Sequence, residues 1–298
     1  MSPNPSILNS IGVVTTLYAE DWQADSRNIP ERLNLLHHIV KAEPNLDILL
    51  LPAGTFVVAP NADLNQVART LESQFPTPRP TICWGLDVRT SSGDSDGPQM
   101  ARKLTGTPPA ADDDRDPFLS FYALISPSQG SSPLWLAQQM AYRSTQAVAD
   151  SNLPKNRVFS WGDVSVGVLI CGELLASVHG RKRRVTRFRH ITASANLLLD
   201  MAHADIAISG FVRWTAAMDD AVAYADGYRS LLIAQHLCVD SLERELPKFT
   251  SDGDVPKLFR GDVCHMRRTP VGRLTSRFPA ALVDVYNLAK TSALGTLS

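Results

Sequence analysis

The segment VSVGVLICGELLAS, residues 164–177, holds the residue types best suited to covalent chemistry. An apolar run leads into Cys171, then Gly172, then Glu173, where it stops. A thiolate attacks a carbonyl or nitrile carbon, and a thiol becomes effective when a nearby cation, base or helix start lowers its pKa from about 8.5. Cys171 reads equally well as a small buried side chain, since free cysteine is among the most buried residue types. Glu173 reads either as a group orienting a pocket or as a satisfied carboxylate at a helix start. His203 offers a base if it comes within hydrogen-bond reach, and a structural histidine otherwise; Asp205 reads as a loop cap. Cys83, Cys238 and Cys264 sit in apolar strand-like runs and read as core filler. His37 and His38 lie on an amphipathic helix without metal-ligand spacing, so neither a metal nor a cofactor is expected.

The elements that must position these groups alternate along the chain. SIGVVTTLYA reads as a first strand, IPERLNLLHHIVKAE as a helix with Leu33, Leu36, Ile39 and Val40 at helical spacing, and LDILLLPAG as a buried strand closed by Pro and Gly. NADLNQVARTLESQF reads as a second helix with an Asn cap, followed by the strand PTICWGLDV. Residues 89–117 are rich in Ser, Gly, Pro and Asp, and read as an exposed, flexible insertion. PFLSFYALISPSQ reads as a strand, and RVFSWGDVSVGVLIC as a hairpin turning at WGD. SANLLLDMAHADIAISGFV reads as a helix feeding a short strand, and MDDAVAYADGYRSLLIAQHL repeats that unit. RGDVCHMRRTPVGRLTS reads as a hairpin with Pro-Val-Gly at its turn, and residues 285–298 as a C-terminal tail. This order implies an α/β layered sandwich, not a doubly wound parallel sheet.

Bulk properties exclude several classes. A 298-residue chain with 44% hydrophobic side chains and a formal charge of -1 is an ordinary globular protein. The early run IGVVTTLY is too short for a membrane span and lacks the flanks of a signal peptide, so a cytoplasmic location is expected. Four cysteines without CxxC spacing argue against structural zinc and a disulfide framework. The run HGRKRRVTRFRH, residues 179–190, has Lys or Arg at six of twelve positions. It reads as a solvated loop, with contact to a polyanion as the sharper alternative.

GVLICGE at 167–173 resembles the strand and elbow that carry the nucleophilic cysteine of the nitrilase superfamily of carbon-nitrogen hydrolases, with Gly172 where that family usually has an aromatic. DILLLPAG at 47–54 looks like the family's second strand. SANLLLDMAHADIAISG looks like the helix and strand after the elbow, YRSLLIAQHL like a later strand, and FRGDVCHMRRTPVGRLTS like its hairpin. The resemblance implies a single domain over 1–298, a four-layer α-β-β-α sandwich, and pairing with a second copy as a homodimer or larger assembly.

The family's chemistry needs a thiol that attacks, a carboxylate that moves its proton, and an ammonium that stabilises the oxyanion. Cys171 matches the nucleophile. The glutamate expected after the Pro that closes the second strand is replaced by Ala53, and the lysine expected after Arg143 by Ser144. No shifted residue restores the set: the only glutamate between Glu43 and Glu173 is Glu72, and the only lysines between Lys41 and Lys182 are Lys103 and Lys155. The expectation is a nitrilase-like homologue that binds a small-molecule ligand or protein partner without hydrolysis. The alternative is a thiol hydrolase or acyltransferase acting on amide, nitrile or activated acyl substrates through Cys171. Arg143 or backbone amides would then hold the oxyanion, and Glu173, His203 or water would move protons.

Overall fold

A computed structural model describes residues 8–18, 29–58, 64–75, 80–88, 121–126, 133–138, 157–162, 164–170, 173, 195–202, 230–238, 263–274 and 279–288. The insertion at 89–117 lies outside the described residues. Within them, two helices and twelve strands follow one another. They are β1 Ser10–Tyr18, α1 Ile29–Ala42, β2 Ile48–Leu50, β3 Phe56–Val58, α2 Leu64–Ser73, β4 Thr81–Val88, β5 Phe121–Ser126, β6 Leu134–Ala137, β7 Val158–Trp161, β8 Val164–Ile170, β9 Leu197–Met201, β10 Ser230–Cys238, β11 Val263–Val271 and β12 Ala280–Leu288. The strands run in the order β6-β5-β4-β2-β1-β10-β9-β8-β7, with β12 also on β1, β11 on β12, and β3 on β4.

Period-two alternation in the central strands explains the layering. In β1, Ile11 and Val13 enter one core while Val14 enters another; in β2, Ile48 and Leu50 enter the first and Leu49 the second. In β4, Cys83 faces the first core, and Ile82, Trp84 and Leu86 the second. The first core also takes Val166, Val168 and Ile170 of β8, Leu197, Leu199 and Met201 of β9, and Leu232 and Ala234 of β10. The sheet is therefore folded on itself, with one wing facing the other. The second core takes Leu35, Leu36 and Ile39 of α1 and Ala68 and Leu71 of α2, so the helices cover the outside of the first wing. Three of the four expected layers thus stand among the described residues. On the far face of the second wing Leu169, Leu198 and Leu231 are buried as well.

Three sequence readings need correction. Leu197–Met201 is a strand, not part of a helix: its three consecutive leucines are buried on both faces between β8 and β10, a pattern whose periodicity matches a buried helix segment equally well. Residues 285–288 belong to a strand and not to a tail: Val285 and Tyr286 are buried in β12, which runs to Leu288 between β1 and β11. Cys264 is exposed on β11 and fills no core, whereas Cys83 is fully buried as expected. In the last hairpin, Pro270 and Val271 still pair with Leu282 and Ala281, and the chain leaves the strand at Gly272.

Among the described residues no helix is long and apolar enough to cross a membrane. The turn after β2 is the part of the fold that matters most for the site. Gly54 has φ 76°, the left-handed region that glycine tolerates best. A Cβ on Gly85 of β4 would lie 1.8 Å from the Pro52 carbonyl oxygen, so only glycine lets the turn rest on that strand. Gly85→Ala is expected to lower stability by about 3 kcal/mol or prevent folding, because the obstruction is backbone. Denaturant midpoints within experimental error of the parent would contradict this packing.

Candidate functional site

Strands β2, β1, β10, β9 and β8 are parallel, so their carboxyl ends share one edge of the sheet. In open parallel sheets ligands enter outside the carboxyl ends of the strands. Ile170 pairs with Met201 and Met201 with Ala234, forming one row across β8, β9 and β10. Cys171 and Gly172 continue the chain from this row and lie outside the described residues, as do Arg143, Ser144, His203, Asp205 and the basic run 179–190. Ala53 and Glu173 are the sequence-predicted positions that are described.

Ala53 follows β2 at this edge and is fully buried, its methyl group among the side chains between the two wings. The turn that carries it is fixed from several sides. Thr55 donates from its backbone N–H and from Oγ1 to the Pro52 carbonyl, at 3.3 and 2.7 Å. Arg32 of α1, itself buried, donates to the Thr55 carbonyl at 2.8 Å. From the opposite wing, His236 of β10 places Nε2 2.9 Å from the Ala53 carbonyl oxygen. A carbonyl only accepts, so Nε2 carries the hydrogen, and Nδ1 bears the lone pair in the neutral ring. The Tyr18 ring meets the same imidazole edge-on at 6.0 Å. His236 is 2% exposed and is a site residue that sequence reasoning missed. No local pattern marks it, because its contact with Ala53 spans 183 residues.

Glu173 sits just beyond the elbow and is buried with a partner that was also missed, Arg157, immediately before β7. Arg157 Nη2 donates to Glu173 Oε1 at 2.8 Å, Nη1 donates to Oε2, and Oε2 also accepts the Ile170 N–H at 2.9 Å. One carboxylate therefore closes the chain from 170 to 173 and ties it to β7. The hairpin reading contained the signal: Val158 pairs with Gly167, which brings the residue before Val158 alongside the end of β8. These contacts satisfy the carboxylate on both oxygens.

Asp200 of β9 is 1% exposed, and neither carboxylate oxygen has a hydrogen-bond partner among the described residues. Burial pushes its pKa well above the usual carboxylate range, and the charge of Glu173 adds to the effect. Among the described residues no cluster of three or more His, Cys, Asp or Glu side chains is arranged to hold a metal ion. Among the described residues, this edge offers a buried ion pair at Glu173, a methyl group at residue 53, where the resemblance implies a carboxylate, and an imidazole bonded to that residue's backbone.

Two measurements check this electrostatic picture. Arg157→Leu is expected to lose about 3–5 kcal/mol of stability, because it leaves the Glu173 carboxylate buried without its counter-ion. A loss below about 1 kcal/mol would place the pair in water. For Asp200, the raised pKa means that the folded state keeps a proton the unfolded state releases, from the ordinary carboxylate range upward. The corresponding stability is complete below the unfolded pKa and declines as pH rises. Asp200→Asn should therefore gain on the parent between pH 4 and pH 8 in urea titrations; a constant difference would contradict the assignment.

No protein-family model matches the chain, and no curated protein matches it in sequence. Among solved structures it is similar to a cysteine-to-alanine mutant of a Nesterenkonia amidase from the nitrilase superfamily, with 15% identity, 78% of each chain covered and a TM-score of 0.45. It is similar also to a CN-hydrolase superfamily protein from Xanthomonas campestris with an arsenic adduct in its active site, with 12% identity, 78% of each chain covered and a TM-score of 0.44. A third is a mutant of the Nesterenkonia amidase with the acetamide moiety of fluoroacetamide added covalently at its active-site cysteine; identity is 13%, coverage 97% of this chain and 93% of that one, and the TM-score 0.45. The reading of the site rests on this chain's own residues and not on these likenesses.

Proposed function

We propose that this chain is a nitrilase-like homologue that holds a ligand or partner at the carboxyl edge of its parallel strands and does not hydrolyse amides or nitriles. Ala53 carries the reading. The resemblance of GVLICGE and DILLLPAG to the family's elbow and second strand puts the proton-moving carboxylate at residue 53, and a buried methyl group stands there. Amide cleavage needs a proton taken from the nucleophile and returned to the leaving amine, and a methyl group does neither. Ser144 in the place of the ammonium removes the second requirement, since a neutral hydroxyl stabilises a developing oxyanion far less than a fixed positive charge. Neither loss touches the shared carboxyl edge of the parallel strands, which is where the binding would take place.

A panel of short aliphatic amides and nitriles is expected to show no turnover by the full chain beyond that of Cys171→Ala. Turnover that disappears in Cys171→Ala would overturn the reading.

A further inference from the structure

We infer that the groove between helix α1 and the end of the β11–β12 hairpin is a binding site for a small zwitterion, the chemical class of free α-amino acids. The inference goes beyond the reading of Ala53 and does not rest on it. Glu31, Asn34, Leu35 and His38 lie three and four residues apart on α1, so their side chains share one face of the helix. A cavity of about 380 Å³ lies between that face and Gly272, Arg273 and Pro279 of the hairpin. Clefts for small ligands begin at about 300 Å³. The hairpin comes close to the helix at Gly272, whose φ is 75° and whose added Cβ would lie 3.5 Å from Leu35 Cδ1.

Two opposite charges decide what the cavity takes. Glu31 and Arg273 both line it, and among the described residues neither forms an ion pair or a hydrogen bond, with the other or with a third group. Oε2 of Glu31 is shut off from water with no donor in its place, a state that a donor from a ligand relieves. An anion drawn to Arg273 meets the carboxylate of Glu31, and a cation drawn to Glu31 meets the guanidinium; each is repelled by the group it does not pair with. A ligand with an ammonium at one end and a carboxylate at the other satisfies both. Its ammonium donates to Glu31, and its carboxylate accepts from the planar fork of Arg273. Leu35 and Pro279, both buried, give the lining its apolar part and favour a zwitterion that carries an aliphatic side chain.

The test is calorimetric titration of the full chain with the proteinogenic L-amino acids, and with two truncated forms of leucine. Isocaproate and isoamylamine keep the leucine side chain with only the carboxylate or only the ammonium. An aliphatic amino acid should bind at one equivalent, and each truncated form about tenfold or more weakly than leucine, having lost one charged hydrogen-bonding end. Glu31→Gln and Arg273→Gln should each weaken amino-acid binding by about tenfold or more. Both variants should keep the parental melting temperature, because neither side chain has a partner to lose. Failure of every amino acid to bind would overturn the inference, and so would truncated forms that bind as tightly as leucine. An affinity that either variant leaves unchanged would place the amino acid elsewhere and overturn it as well. The comparison with the truncated forms uses the parental chain alone and therefore decides the matter where a variant fails to fold.

Discussion

Everything at the edge of the sheet depends on the burial of one set of inward side chains against another. Ile11, Val13, Ile48 and Leu50 on one wing meet Val166, Val168, Leu197, Leu199 and Leu232 on the other, all of them almost fully excluded from water. Each such side chain contributes about 1.5–3 kcal/mol when fully buried, and none of that gain depends on direction. Direction comes from the backbone, where parallel pairing aligns the strand ends. The turn carrying Ala53 is then pressed onto Gly85 and reached by His236 from the facing wing. A residue in the turn after β2 and another 183 positions later become neighbours because the two wings share a core.

The charged pairs divide by burial into two kinds. Arg157 and Glu173 are both excluded from water, so their attraction works in a low dielectric and either one without the other is costly. Their function is positional, since the carboxylate also holds the last N–H of β8. On the β11 edge, Arg267 donates to the buried Glu43 while its own side chain is 53% exposed, and its hydrogen bond lowers the Glu43 pKa. Solvent screens that pair, and its contribution is smaller. Arg268 and His265 meet at the buried Asp284 in a similar way. These contacts secure the β11–β12 hairpin and lie away from the strand ends that form the site.

Much of the fold was legible because alternation and punctuation agree. β1, β4 and β10 fall within the runs read as strands, α1 and α2 within the helical patterns, and the turn between β7 and β8 falls at the WGD segment. Ala53 was also readable, because Pro52 and Gly54 mark the end of the strand and fix the count. β9 was misread because LLLD is apolar on both sides, and a fully buried strand has no alternation to show. β3 and β6 are too short to stand out at three and four residues. His236, Arg157 and Asp200 stayed invisible for a different reason. Each gains its meaning from a partner on another strand, and register is a property of the assembled sheet.

The proposed reading turns on Ala53, a buried methyl group where the resemblance implies a proton-moving carboxylate. Around the strand ends the described residues supply the Glu173 carboxylate held by Arg157, the buried methyl group of Ala53 and the imidazole of His236 bonded to the Ala53 carbonyl. The most direct measurement is a pulse of an activated ester, p-nitrophenyl acetate, followed by removal of excess reagent and mass analysis of the Cys171 peptide over time. The account predicts that nitrophenol release does not continue past a single equivalent and that any acetyl group taken up at Cys171 persists. Continued release with rapid loss of the acetyl group from Cys171 would contradict it.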